Sequence, residues 1–187
     1  MNCPVCNTVG LRKALLEEDL PCSDCISCGG HWVNSFEFWN WLAKHPAPEG
    51  VEPPVASPKP LSQEIKGARI CPECAHILSR FKVGVGFDFT IDRCGHCGGI
   101  WFDENEWEFL KSRGLHCEAH HVFSSEWQNR VRKEETAMNL VALFRQRIGI
   151  SDFERARQVK VWLDIHPRRS EILSYLNDTT GSNQEST

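Results

Sequence analysis

No stretch of this chain approaches the ~20 consecutive apolar residues that a membrane-spanning helix needs. Its first residues, MNCPVCNTVG, lack a basic start followed by an apolar run, so a secretory leader is not expected. An excess of positive charge is missing too: 21 Lys and Arg face 25 Asp and Glu, for a net charge of −4. That balance excludes a polyanion binder working by bulk charge alone. Nor is there a phosphate-cradling glycine loop, a dinucleotide fingerprint or a nucleophile elbow. An enzyme is therefore not expected, and no catalytic residue is assigned. Asp88, Asp92, Asp103, Glu104 and Glu106 lie close in sequence, but strand-face solvation and helix capping account for them.

What the chain does have is cysteine, ten in 187 residues, and it arrives in pairs. Cys3–Pro4–Val5–Cys6 precedes Cys25–Ile26–Ser27–Cys28, and Cys71–Pro72–Glu73–Cys74 precedes Cys94–Gly95–His96–Cys97. Two CxxC pairs separated by 18 or 19 residues form a strong tetrathiolate zinc signature. Without a leader, metal ligation is preferred over disulfides, in a reducing, cytoplasmic setting. The expected cofactors are two structural Zn²⁺ ions. The expected ligands are Cys3, Cys6, Cys25 and Cys28 for one, and Cys71, Cys74, Cys94 and Cys97 for the other. Eight thiolates and two zinc ions take the net charge to about −8.

The pairs belong to a repeat. CISCGGHWVNSFEF and CGHCGGIWFDENEW align at an offset of 69 residues, sharing both cysteines, both glycines, a tryptophan (Trp32, Trp101) and a glutamate (Glu37, Glu106). Units of about 40–45 residues rarely fold on an apolar core alone, which is the physical reason for the metal. Cys22 makes an alternative CxxC with Cys25, but the repeat places Ile91 at its matching position. It is read as a free thiol or a neighbour of the metal site.

The first module spans residues 1–44. LRKALLEEDLP is a poor strand by propensity, and a short irregular hairpin is expected there. Asn34 should cap a helix with Glu37 as its capping-box partner, Phe38, Trp41 and Leu42 facing inward, and His45–Pro46 ending it. Residues 45–69 hold six of the ten prolines and read as a linker. The second module spans residues 70–114. Ile77, Ser79, Phe81 and Val83, then Phe87, Phe89 and Ile91, alternate about Gly84–Val85–Gly86, which predicts a β-hairpin. Asp103 with Glu106 should open a helix that Gly114 closes.

Residues 115–177 read as a helical domain, and 178–187 as a frayed tail. Ser125 with Gln128, Ser151 with Glu154, and Pro167 are the expected helix starts. Apolar stripes including Trp127, Val131, Met138 and Phe144, then Phe153, Val159, Trp162 and Leu163, predict a helical mini-core. His116, Cys117, His120 and His121 contain two i,i+4 pairs, a ligating spacing, but no further partner is evident. A polar connector with an incidental thiol is the expected reading.

The fold class is thus small zinc-stabilised α+β: two tandem zinc ribbons, each a β-hairpin plus a short helix, then an α-helical C-terminal domain. At CPVC with CISCGGHWVNSFEFWNWL, and at CPEC with IDRCGHCGGIWFDENEWEFL, the chain resembles the TFIIB-type zinc-ribbon family. The second ribbon follows the pattern almost throughout. The first departs at Asn34 and Ser35, where the helix usually starts with acid, and at the extra Cys22. The resemblance covers some 85–90 residues and implies nucleic-acid or transcription-associated binding. It implies nothing for residues 115–187.

Two partner classes fit. DNA or RNA would be gripped by Arg155, Arg157, Lys160, Arg168 and Arg169 of the helical region, where ten basic residues between 125 and 177 face seven acidic ones, and by Arg80, Lys82 and Arg93 of the second ribbon. A protein partner, or self-association, would instead use exposed tryptophans, Trp39 above all. The sequence leaves the oligomeric state open and gives no sign of a membrane partner.

Overall fold

A computed structural model describes residues 1–46, 67–85 and 90–178. Most of the proline-rich segment, the Gly86–Phe89 part of the second hairpin and nearly all of the expected tail lie outside the described residues. The chain divides into two compact units, Met1–Glu135 and Thr136–Thr187.

In the first unit each ribbon contributes three strands. β1 (Arg12–Glu17), β2 (Leu20–Asp24) and β3 (His31–Val33) come from the first ribbon; β4 (Leu78–Lys82), β5 (Thr90–Cys94) and β6 (Ile100–Phe102) come from the second. The expected irregular hairpin is in fact a regular antiparallel pair with one register shift between Leu15 and Glu17. Tertiary pairing overrides the weak local propensity of LRKALLEEDLP.

The six strands form one sheet in the order β1-β2-β3-β6-β5-β4. The ribbons are therefore not separate beads on a linker. Their third strands pair antiparallel, His31 with Phe102, Trp32 with Trp101 and Val33 with Ile100. Residues 69 apart are equivalent, so Trp32 pairs with its own counterpart and a pseudo-twofold axis passes between them.

The side chains make the same exchange. The Trp101 indole lies where a Cβ on Gly30 would be, and the Trp32 indole lies where a Cβ on Gly99 would be. Each ribbon's second glycine is thus the notch for the other ribbon's tryptophan. No larger residue fits, because a methyl group would overlap the ring.

Alternation along the strands then sorts the core into two layers. Trp32, Trp101, Leu78 and the eight paired cysteines form one. Val33, Ile100, Phe102 and Ile91 form the other, beneath helices α1 (Ser35–Lys44) and α2 (Glu106–Ser112). Phe38 and Trp41 of α1 and Trp107 and Leu110 of α2 are buried there, and Trp41 meets Trp107 edge-on at 5.5 Å.

Helix α1 starts on Asn34 as expected, its Oδ1 accepting from the Phe36 amide at 2.8 Å, but the expected return bond from Glu37 is not made among the described residues; His45 follows the last turn. Helix α2 starts differently. Glu106 does reach back to the Asp103 amide at 2.8 Å, but the N-cap is Asn105 at φ 69°, and Asp103 caps nothing. At its other end Gly114 takes φ 68° and donates to Lys111, while Leu115 donates to Leu110, which together make a Schellman motif.

The boundary expected at residue 115 does not match the compact unit, which runs on to Glu135. A 3₁₀ turn (His116–Glu118) and α3 (Ala119–Val122) bury Leu115, Cys117, Ala119 and Val122 in the second core layer. Helix α4 (Ser125–Ile148) opens on Ser124, whose Oγ accepts from the Trp127 amide at 3.2 Å, one residue before the expected start. Its first turns attach to the end of β4. Trp127 Nε1 donates to the Val83 carbonyl at 3.0 Å, Gln128 to the Lys82 carbonyl at 2.9 Å, and Lys82 pairs with Glu135 at 2.6 Å.

The second unit holds the rest of α4, α5 (Ile150–Asp164) and α6 (Arg169–Asn177). α5 begins at Ile150 with Gly149 as N-cap, so Ser151 lies inside the helix and caps nothing. The expected mini-core is not assembled: Leu163 is the one buried apolar residue of this unit among the described residues. Thirteen large apolar side chains between Met138 and Leu176 are at least 40% exposed. No described helix is long and apolar enough to cross a membrane.

Candidate metal centres

Each Cys–Pro–x–Cys turn folds back on its own first sulfur. The amides of Val5 and Cys6 both point at Cys3 Sγ at 3.3 Å, and those of Glu73 and Cys74 point at Cys71 Sγ at 3.4 and 3.5 Å. Asn7 and Ala75 adopt positive φ directly after these knuckles, 62° and 59°, which turns the chain away from the sulfurs. The second knuckle of each ribbon follows the end of a strand, where β2 and β5 bring Cys25 and Cys94 down opposite the first.

The result is two compact groups. Cys3, Cys6, Cys25 and Cys28 lie with all sulfurs within 4.8 Å of one another, and Cys71, Cys74, Cys94 and Cys97 do the same. Individual S···S separations are 3.6 and 3.9 Å in the first group, 3.6 and 3.4 Å in the second. A disulfide requires ~2.05 Å. A tetrahedron of thiolates around zinc at ~2.3 Å has edges of ~3.8 Å, and these separations match it. The donor set therefore fits two Zn²⁺ ions with every coordination position taken by sulfur. A closed site of this kind is structural, because no position is left for water or substrate.

The electrostatics agree with thiolate ligation. Burial opposes ionisation of Cys25, but the amides of Cys28 and Ser27 outweigh it and bring the thiol down to about 7. Cys94 comes down to about 7 in the same way, through the amides of Cys97 and His96. The two neighbours Cys28 and Cys97 go the other way, held up by burial. Metal ligation in turn requires deprotonated sulfur.

Cys22 joins neither group. It is buried among apolar side chains at the place where the second ribbon has Ile91, and burial pushes its thiol up to about 11. It is a free thiol, as the repeat alignment allows, and a small core residue. His116, Cys117, His120 and His121 make no metal-holding group among the described residues. Cys117 is buried in the core, and the His116 ring lies 6.0 Å from those of Trp41 and Trp107.

Around the metal centres the two ribbons part company. In the second, Arg69 is only 7% exposed and holds two carboxylates. It donates to Asp92 at 2.6 Å and to both oxygens of Asp103 at 3.1 and 2.8 Å, and Trp101 Nε1 also donates to Asp103 at 2.8 Å. Asp92 is therefore a buried ion-pair member, not a solvated strand residue. Burial, with Asp103 and Asp92 nearby, holds the Glu106 carboxyl well above the usual range. Sequence reading did not find this network. The signal was thin: one arginine two residues before Cys71 and one aspartate two before Cys94.

The basic residues proposed for nucleic acid are mostly engaged locally. Arg80 reaches Asp92 at 3.5 Å and donates to the Gly67 carbonyl, and Lys82 is held by Glu135. Arg93 lies over the Phe123 ring at 5.1 Å. In the second unit Arg155 pairs with Asp152, Arg157 with Glu154, Arg168 with Glu171 and Arg169 with Asp164. Lys160 has no ion pair among the described residues. Trp39 is 48% exposed, as expected, beside the His120 ring at 5.4 Å.

Neither curated proteins nor solved structures give a match to this chain. A comparison with known families matches the transcription factor zinc-finger family twice, over residues 2–44 and again over residues 70–113. Those two segments are the two metal-holding ribbons just described, and over them the chain is similar to that zinc-ribbon family.

Proposed function

We propose that this is a non-enzymatic zinc-ribbon binding protein of transcription-associated assemblies, cytoplasmic, in which the ribbons form a zinc-stapled head and the helical segment docks on protein. The observation that carries this reading is the apolar surface between Met138 and Leu176. Ile150, Ile165 and Tyr175 are more than 70% exposed. Monomeric proteins rarely keep contiguous apolar patches beyond a few hundred Å² in water. Arg155, Arg157, Arg168 and Arg169 lie beside acids three or five residues away, which leaves these helices little net charge to select a charged partner. A second copy of this chain, presenting the same apolar surface, is the occupant proposed. Light scattering across a concentration series tests this: a dimer is expected that Trp162→Asp with Ile165→Glu converts to monomer. A wild-type chain that stays monomeric at high concentration overturns it.

A second reading is direct contact with DNA or RNA. The exposure of Arg155 and Arg168, 79% and 72%, and the unpaired Lys160 favour it. Anisotropy of labelled single- and double-stranded DNA and RNA across a salt series distinguishes the two. Phosphate engagement gives a log affinity that falls steeply with log salt and weakens when Arg155, Arg157, Arg168 and Arg169 are reversed.

A further inference from the structure

Beside Trp32 the first ribbon has a cavity of about 320 Å³, lined in part by Lys13, Ser23, Trp32, Asn34, Glu37 and Glu73. Three of these are the counterparts, 69 residues back, of the groups around Arg69 in the second ribbon: Ser23 for Asp92, Asn34 for Asp103 and Glu37 for Glu106. The cavity is thus the place that the second ribbon fills with an internal ion pair, the Arg69 guanidinium against the Asp103 carboxylate at 2.8 Å.

The first ribbon has replaced both halves of that pair. Trp101 Nε1 donates to Asp103, but its twin Trp32, only 2% exposed, has an Nε1 with no hydrogen-bond partner among the described residues. Asn34 does not serve it. Its Oδ1 accepts from the Phe36 amide, and its Nδ2 donates to both oxygens of Glu73 at 2.8 and 2.9 Å. A buried N–H without an acceptor costs on the order of 1–3 kcal/mol, so an oxygen acceptor at this spot binds favourably. The lining meanwhile keeps charges of both signs, Lys13 against Glu37 and Glu73.

We propose that this cavity binds a small zwitterion of the amino-acid class, whose carboxylate accepts from Trp32 Nε1 and whose cationic nitrogen faces Glu37 and Glu73. One molecule then supplies both charges that Asp103 and Arg69 supply in the second ribbon. Lys13 and Ser23 of the adjoining β1–β2 hairpin also line the cavity. Neither the zinc ligands nor the docking role of the helical segment is involved, so the site stands or falls independently of that role.

The test uses the full zinc-loaded chain and the ¹H–¹⁵N resonances of its indoles, with Trp32 assigned by Trp32→Phe. L-arginine is titrated against agmatine, which lacks the carboxylate, and propionate, which lacks the cation. The expected result is a saturable shift of the Trp32 indole with L-arginine, about tenfold weaker or worse with either fragment, while Trp101 stays in place. Asn34→Asp restores an internal carboxylate, at the loss of the bond to Glu73, and is expected to weaken L-arginine by a similar factor while the Trp101 indole stays in place. Equal response to a fragment carrying one sign of charge, undiminished binding by Asn34→Asp, or no saturable shift at all, leaving only water in the cavity, overturns the proposal.

Discussion

The two ribbons share a frame and differ in what surrounds it. Both have four clustered sulfurs, a glycine notch, an exchanged tryptophan and a helix over the far face of the sheet. Only the second closes its tryptophan with a carboxylate and an arginine. The shared parts are those that metal binding and the β3–β6 joint require. The parts that differ lie outside both requirements. Stability therefore resides in the common frame, and the variable layer is free to become either an internal brace or an open cavity.

The first way to sharpen the comparison is to remove one metal. Cys94→Ser takes away a zinc ligand, and the metal contributes on the order of 10–16 kcal/mol to folding such a unit. If the ribbons were independent, the first would remain folded. With shared strands and exchanged tryptophans, Cys94→Ser is expected to cost the first ribbon its thermal transition as well, as would the mirror substitution Cys25→Ser. Heat denaturation with zinc counting checks this: two separate transitions, one per ribbon, would show independence.

The next largest effect falls on one ribbon only. Arg69→Met leaves Asp92 buried without its principal partner and is expected to destabilise by about 3–5 kcal/mol. The equivalent layer of the first ribbon has no such charge to strand, so Ser23→Ala should sit within about 0.5 kcal/mol of wild type. Chemical denaturation of both variants measures the contrast.

Glycine substitutions should restore the symmetry. Gly30→Ala and Gly99→Ala each push a methyl into the opposite ribbon's indole. Overpacking of this kind costs about 1–3 kcal/mol, and the two costs should be alike. A large difference between them would mean that the tryptophans are not equivalent in strength.

The smallest effect is one of pH. The Glu106 carboxyl is raised in the folded state by burial, with Asp103 and Asp92 adding to it and Arg69 opposing. A raised folded value means that the protonated acid is the favoured form. Its contribution is complete below the ordinary carboxylate range and is lost as pH rises through the folded value. Relative to Glu106→Gln, wild-type stability should fall with rising pH by up to about 1.4 kcal/mol per unit while the group titrates. Denaturation midpoints followed upward from the ordinary carboxylate range, over the pH span in which zinc stays bound, measure the difference. Parallel curves would place the proton elsewhere.

Much of this was legible in the residues. CxxC spacing identifies all eight ligands because metal geometry tolerates few alternatives. The Ile91 match keeps Cys22 out of the ligand set, and the structure adds that it is a core residue. Asn34 and Gly114 work through contacts within four residues, so sequence reading finds them. What was missed depends on partners far along the chain. LRKALLEEDLP is a strand because β2 covers it, and Asp103 leaves its helix because Arg69 holds it from 34 residues away. The periodic apolar stripes of the helical region were real, but periodicity reports a face and not what covers it.

The joint at β3 and β6 has a further consequence, for solubility. A single ribbon of this design would end in a short bare strand edge beside a glycine notch, a template for unwanted strand addition. Here each edge consumes the other. The strands left outermost are β1, which bears Arg12, Lys13 and Glu17, and β4, whose end is covered by Trp127 and Gln128. Duplication within one chain has turned two adhesive edges into the middle of a sheet and left the margins charged or capped.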